Sequence, residues 1–258
     1  IIKLYSNFMH YKFFKKIIEA FGYKIIDKNL IKNERLLSQY SFLTLEKILE
    51  NLFVNKEIQS IIQIGANDGE RFDIINKFVK KYSPFTILIE PIKSNYESLK
   101  ENYADQKNIL YENLAISVDN EISELYKVKD EKINLYDEHI VGITSFNKNH
   151  LINHGVKKKH IVREKVNTIS IKDLILKHSI NDLDLLFIDT EGYDAKIVKD
   201  FLINSKLRPF IIFEYIHSNH YFFSETINML IENEYILFKI SENVVCFPKS
   251  KKEKIKFT

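Results

Sequence analysis

The sequence predicts an α/β protein built on a parallel sheet with helices on both faces, and three observations carry that reading. Beyond Gln59, short apolar runs alternate with amphipathic polar stretches, and strands apolar on both sides belong to sheets covered on both faces. A glycine-bearing segment, Gly65 to Gly69, joins the first apolar run to the first amphipathic stretch. The second apolar run ends in a carboxylate, Glu90, followed by Pro91.

Residues 1–56 read as a helical extension, and residues 57–258 as the α/β domain. Phe14, Ile17, Ile18 and Phe21 follow the spacing of one helical face, with Gly22 as a stop. Residues 1–33 carry seven lysines against Glu19 and Asp27. A basic amphipathic helix of this kind packs its apolar face on the domain or on a second copy of the chain with its lysines in solvent, or lies on an anionic membrane surface or a partner. A second helix is expected from Glu34 to Phe53, burying Leu37, Tyr40, Leu45, Ile48, Leu49 and Leu52.

Strands are expected at Ser60–Ile64, Phe85–Ile89, Ile109–Leu114, Leu183–Ile188 and Pro209–Tyr215. Helices are expected between them at Asp73–Lys81, Asn95–Tyr103, Ile171–His178 and Ala195–Leu202. A helix near Ser224–Asn233 then leads to Tyr235–Ile240, a turn at Ser241–Asn243 and Val244–Phe247, a closing antiparallel hairpin. Lys249–Lys256 reads as a solvated tail. Ile122–Val128 and Ile161–Thr168 predict an accessory hairpin over the crevice. The polar stretch between them, with Gly142, Ser145, His150, His154 and Lys157–His160, reads as a mobile lid.

Composition removes several classes. The chain has 258 residues with 38 Lys+Arg against 35 Asp+Glu, a net charge of +3. A dedicated nucleic-acid binder carries a stronger basic bias, so no nucleic-acid partner is expected. Only four of the basic residues are arginines, and bidentate phosphate clamps favour Arg. Cys246 is the sole cysteine, which removes internal disulfides and cysteine-rich zinc sites. No apolar run approaches the roughly 20 residues that span a bilayer. The cytoplasm is the default location, although the chain begins at Ile1 and residues can precede it.

The candidate site gathers at strand ends. Glycines at a strand–helix junction let the backbone turn tightly and approach a ligand. The spacing here lacks the G-x-G-x-x-G of dinucleotide binders, having Asn67 in place of the second glycine. Glu90, 21 residues beyond Gly69, stands where α/β sheets hydrogen-bond a nucleoside ribose. The fourth strand ends in Asp189-Thr190-Glu191-Gly192 and the fifth in Glu214, with His217 and His220 beyond. These groups can orient a hydroxyl, take its proton or hold a divalent cation. Asp194 is set aside as a helix N-cap. His10, His139, His154, His160 and His178 are read as ordinary surface or packing residues.

In order and spacing, IQIGANDG, ILIEP with NYESLKENY, NLAIS, GITSF with HL, VNTISIKDLI, DLLFIDTEGYD and IIFEYIH resemble the FkbM family of S-adenosylmethionine-dependent methyltransferases. The resemblance covers about residues 57–247. It implies a Rossmann-like seven-stranded methyltransferase sheet with the last strand antiparallel. It also implies a cofactor, S-adenosylmethionine, with S-adenosylhomocysteine as product. Gln63, Gly65, Ala66, Asn67, Asp68 and Gly69 would lie along its methionine part, Glu90 and Pro91 at the ribose, and Asn113 with Ala115 at the adenine. Ser145 would reach cofactor or acceptor, and Asp189 would line both. Gln63 replaces an acid carried by many methyltransferases, keeping an acceptor but no charge.

The implied reaction is O-methylation of a sugar or glycan hydroxyl, such as a surface polysaccharide or its nucleotide- or lipid-linked precursor. His217 is the first candidate base, and His150 on the lid the second. Asp189, Glu191 and Glu214 complete the catalytic set, and no residue is assigned to a resident metal. A non-catalytic nucleotide-binding module and an NAD-dependent oxidoreductase are the alternatives. Because Glu90 ends a strand, its removal is expected to spare the fold.

Overall fold

The computed structural model describes residues 32, 43–118, 123–137, 140 and 142–254. The chain divides into two compact units, residues 1–44 and 45–258, and every element named below belongs to the second. The helix expected over Phe14–Phe21, its proposed membrane, partner or self-contact, Leu37, Tyr40, His10 and His139 lie outside the described residues.

In chain order the elements are α1 (Leu45–Val54), β1 (Ser60–Ile64), α2 (Asn76–Tyr82), β2 (Phe85–Ile89), α3 (Lys93–Asn102), β3 (Ile109–Glu112) and β4 (Ala115–Ile116). They continue with β5 (Ser123–Val128), α4 (Lys148–Asn153), β6 (Ile161–Val166), β7 (Thr168–Ile169), α5 (Ile171–Lys177) and β8 (Leu185–Ile188). The last are α6 (Asp194–Asn204), β9 (Phe210–Glu214), α7 (His220–Glu232), β10 (Tyr235–Ile240) and β11 (Asn243–Pro248).

Seven strands form one sheet in the order β10-β11-β9-β8-β1-β2-β3. β1, β2, β3, β8 and β9 pair in parallel, and β11 inserts antiparallel between β9 and β10. The expected closing hairpin is therefore present, with its second strand inside the sheet and its first at the edge. The predicted Rossmann-like sheet with helices on both faces is the one observed.

Alternation along the strands divides the core into two layers. Ile62, Ile64, Ile87, Ile89, Leu186 and Ile188 pack with Leu174 of α5, Phe201 of α6 and Leu230 of α7. Ile61, Leu88, Leu185 and Phe187 pack on the opposite face with Leu49 and Phe53 of α1, Phe78 of α2 and Leu99 of α3. The predicted burial of Ile48, Leu49 and Leu52 is found, in a helix beginning at Leu45 and packed into the sheet's own core.

Two predicted strands are cut by asparagines. The run from Ile109 breaks at Asn113 and the run from Ile161 breaks at Asn167; the short pieces β4 and β7 pair with each other instead. β5 and β6 form the accessory antiparallel hairpin. The segment read as a mobile lid is folded: α4 lies within it, and Ile143, Leu151 and Val156 build a small core with Val128 and Ile161. Its apolar residues are hidden among polar ones, which is why it reads as a loop. The Lys249–Lys254 turn is not wholly free in solvent, since Lys251 pairs with Asp184 at 3.2 Å. Among the described residues, no helix is long and apolar enough to cross a membrane.

Candidate active site

Strand order reverses at β1, with β2 on one side and β8 on the other, and open α/β sheets bind ligands outside the carboxyl ends at such a point. There β1 runs into Gly65, whose φ is +83°. A Cβ on Gly65 would stand 1.8 Å from the carbonyl oxygen of Asp189, so only glycine lets the two strand ends close. The amides of Gly65 and Ala66 both donate to the Ile89 carbonyl, at 3.0 Å each. The result is a cavity of about 420 Å³ over the ends of β1, β2, β8 and β9, within the size range of small-molecule sites.

The cavity is acidic. Asp73, Glu90, Asp189, Glu191, Glu214 and Glu242 line it, against the single arginine Arg71, itself paired with Asp68. Glu90 is buried and accepts from the amides of Asn67 at 3.0 Å and Ile92 at 2.8 Å. Burial drives its pKa up to about 7, against the pull of those two amides. Asp189 opens directly onto the cavity but stands deep in the protein; desolvation, then Asp194 and Glu191, raise it to about 8. Glu214 rises to about 9 from desolvation, then Asp189 and Glu191.

Beside these acids stand three imidazoles. His150 and His154 come from α4 and its C-terminal end, His217 from the turn after β9. His150 Nε2 is 3.0 Å from Glu191 Oε2; His217 Nε2 is 3.8 Å from the same oxygen and 3.9 Å from Glu214 Oε2. Burial lowers the His217 pKa, opposed by Glu191 and reinforced by His150 and His154, so the ring is neutral at pH 7. A second cavity of about 500 Å³ adjoins this cluster, sharing Phe146, Glu191 and His217 with the first.

The structure thus brings together all five predicted catalytic residues: His217, Asp189, Glu191, Glu214 and His150. Of the predicted cofactor set, Gln63, Gly65, Ala66, Asn67, Glu90, Pro91, Ala115 and Asp189 line the first cavity. Four others shape its surroundings. Asp68 turns away to accept from the amides of Glu70 and Arg71. Gly69 faces α3, where a Cβ would meet Leu99 at 2.4 Å and Tyr103 at 2.6 Å. Asn113 donates to the carbonyls of Glu90 and Pro91 and pins that turn. Ser145 lines the second cavity, where its hydroxyl donates to the Glu191 carbonyl at 3.2 Å.

Asp194 is the first residue of α6 rather than its N-cap, and its buried carboxylate ties the Thr190 hydroxyl and the Thr190 and Gly192 amides. Glu90 is a structural acceptor as well as a cavity group, since the amides of Asn67 and Ile92 both donate to it, so its loss is expected to cost stability. His154 is no bystander: its ring lies 4.6 Å from that of His150 and 5.0 Å from that of His217, centre to centre. Its signal was in the sequence, since His150 and His154 are four residues apart and therefore share a helix face. Asp73 and Glu242 were also missed, and nothing local to either marks it as a cavity group. His160 and His178 have ordinary roles, bonded to Tyr136 and Glu112.

The crowded acids make stability depend on pH. A carboxyl with a folded pKa above its unfolded value keeps its proton longer in the native state, so stability falls as pH rises between the two values. For Asp189 that window runs from 3.8 to about 8. Asp189→Asn should therefore melt about 2–4 °C above the unsubstituted protein at pH 8, the scale of one modest interaction in a domain this size. At pH 4 the two should converge. Thermal melts across this range check it, and an advantage that does not grow with pH would remove the electrostatic account.

The sequence profile of the methyltransferase FkbM domain matches residues 63–237. No curated protein matches the sequence. Among solved structures, the chain is similar to a methyltransferase FkbM from Methylobacillus flagellatus KT, with 12% identity, a TM-score of 0.45, and coverage of 74% of this chain and 44% of that one. It is also similar to the SAH-bound methyltransferase PaMTH1 of Podospora anserina (10% identity, TM-score 0.43, coverage 88% and 98%). A third is the O-methyltransferase TomG of Streptomyces achromogenes, involved in tomaymycin synthesis and in complex with SAM (10% identity, TM-score 0.42, coverage 87% and 91%). The chain spans less than half the length of the first of these.

Proposed function

Because the chain belongs to the family of FkbM methyltransferase domains, we propose that it is an S-adenosylmethionine-dependent O-methyltransferase acting on a sugar or glycan hydroxyl. The observation that carries the reading is the acidic crevice at the strand-order reversal. S-adenosylmethionine carries a sulfonium and an ammonium centre, and a lining of six carboxyl groups offers those centres acceptors, whereas the single arginine is already paired with Asp68 and leaves the diphosphate of NAD or a nucleic-acid backbone without a cationic partner.

The residues present fit that cofactor. Gln63 Oε1 and Asn67 Oδ1 are buried without a hydrogen-bond partner, and unpaired buried acceptors call for a donor such as an ammonium group. The Glu90 carboxylate has about four lone-pair sites, of which two backbone amides occupy two, leaving room for ribose hydroxyls. Leu114, Ala115 and Ile116 offer an apolar wall for a base. When bound, S-adenosylmethionine supplies a methyl group on a sulfonium and leaves as the neutral thioether.

The chain's own work is to position an acceptor and take its proton. The second cavity, with Phe146, Tyr193, Phe222 and Asn219 in its wall, offers aromatic faces and polar groups suited to a sugar ring. It meets the first at His217 and Glu191, where an acceptor hydroxyl would stand. As that oxygen forms its bond to carbon, its proton passes to Nε2 of His217, and the Glu191 carboxylate stabilises the resulting imidazolium. Glu214, with a pKa of about 9, holds its own proton at neutral pH and is no base there. A cytoplasmic location and a surface polysaccharide or its precursor as acceptor belong to this reading.

The test is a thermal-shift series followed by product analysis. S-adenosylhomocysteine at 100 times its Kd should add about 2.7 kcal/mol of stability, and NAD should add none. Mass spectrometry of a panel of sugar nucleotides and oligosaccharides should then show gain of one methyl group. Stabilisation by NAD alone would favour the oxidoreductase alternative; stabilisation by the thioether with no acceptor methylated would favour the binding module.

A further inference from the structure

We propose that His150, His154 and His217 form a binding site for a divalent first-row transition metal, completed by Glu191. The three imidazoles each present a ring nitrogen within 4.8 Å of the others. Their ring centres lie 4.5, 4.6 and 5.0 Å apart. Nitrogens held about 2.0–2.1 Å from a tetrahedral Zn²⁺ are about 3.3–3.4 Å apart. Side-chain rotations that close the group by about 1–1.5 Å therefore complete a coordination shell.

The supporting frame argues for more than a chance cluster. His150 and His154 stand four apart on and just beyond α4, so one short helix delivers two donors from the same face. That helix is anchored by Leu151, which is fully buried. The third imidazole arrives from the turn after β9. Glu191 stands 3.0 Å from His150 and 3.8 Å from His217, in a left-handed conformation with φ +54° that a non-glycine residue adopts at a cost. Ser145 fixes its main-chain carbonyl, the kind of outer contact that orients ligands. Glu191 and Glu214 make a second group of ligating atoms with the same His217, but Glu214 is not within that reach of His150 and His154 and stays outside the proposed shell.

Three imidazoles and a carboxylate select borderline ions such as Zn²⁺ or Co²⁺, whereas Mg²⁺, Ca²⁺ and Mn²⁺ favour oxygen-rich sites. The ion would stand where the two cavities meet. Its role, though not its binding, rests on the reading of that junction as the acceptor site: with His217 bound to the ion and no longer the base, it would hold the acceptor hydroxyl and lower its pKa so that the proton leaves to solvent.

The experiment is equilibrium dialysis of the full chain, free of added histidine tags, against Co²⁺ and separately Mg²⁺. Metal content and visible absorption are the readouts. One Co²⁺ per chain, with ligand-field bands absent for the free ion, is expected, and Mg²⁺ should not compete. His154→Ala and, independently, His150→Asn should weaken Co²⁺ binding beyond the roughly 10–100-fold typical of losing an outer-shell partner. His178→Ala, remote from the cluster, should not change it. No stoichiometric Co²⁺, or binding indifferent to both variants, overturns the site. S-adenosylhomocysteine titrated into the same samples keeps the questions apart. Methyl transfer by metal-free protein overturns the ion's catalytic role, and absence of stoichiometric metal overturns the site, both without touching the functional reading; metal binding without methyl transfer to any glycan defeats the functional reading alone.

Discussion

His217→Ala is expected to lower kcat by about 10²–10⁴-fold, the range for losing a general base, while S-adenosylhomocysteine binds within about twofold of the unsubstituted protein. The side chain meets the acceptor junction rather than the Gly65 turn, which is why affinity and turnover should separate. Burial holds the imidazole below its ordinary pKa. A base must be unprotonated, so kcat/KM should fall as pH drops through a value below 6.5, and that limb should vanish in His217→Asn. A metal held by the same ring predicts an equal loss in kcat with a different signature: chelation would abolish the activity of the unsubstituted enzyme, and Co²⁺ or Zn²⁺ would restore it. A variant keeping more than a tenth of the rate moves the proton to His150 or a carboxylate.

Glu90→Ala is expected to weaken S-adenosylhomocysteine binding about 10–150-fold, the equivalent of about 1.5–3 kcal/mol for a hydrogen bond to a charged group. The fold should suffer as well. The variant leaves the amides of Asn67 and Ile92 without their acceptor, and a buried unpaired donor costs about 1–3 kcal/mol. Glu90→Gln keeps one oxygen and should lose less stability while still binding weakly. Because the Glu90 pKa is raised to about 7, affinity of the unsubstituted protein should climb with pH through neutrality as the carboxylate ionises, and this climb should be absent in Glu90→Gln. Calorimetric titration at pH 6 and pH 8, paired with denaturant melts, measures both. Unchanged affinity in Glu90→Ala would end the ribose assignment.

Some of the site was legible because the chemistry sits in sequence-local punctuation. Gly65 at the end of an apolar run, Glu90 before Pro91, and Asp189 and Glu214 at the ends of two later runs all declare themselves. In a parallel sheet every such end points the same way, so continuous apolar runs separated by helices are enough to predict that these groups converge. The His150–His154 spacing was readable too, once residues 148–153 were recognised as a helix. It was obscured because that helix is short and its apolar residues are few.

Other features depended on contacts between distant segments. Glu242 reaches the cavity only because β11 enters the sheet beside β9, an arrangement set by pairing across some thirty residues. Asn113 and Asn167 look like ordinary strand residues until β4 and β7 leave the main sheet to pair with each other. Gly69 belongs to the same turn as Gly65, but which of two glycines faces a ligand and which makes room for a helix is decided by where Leu99 and Tyr103 pack.

The sequence by itself determined the strand–helix alternation, the glycine turn and the carboxylates at the strand ends, because backbone conformational limits and hydrophobic periodicity act over a few residues at a time. Which acids crowd one another, that Glu90 accepts from two amides, and that three histidines from two elements share one corner are set by long-range packing. Burial, charge coupling and donor geometry are properties of space rather than of chain order. Their magnitudes appear only when the crevice closes around them.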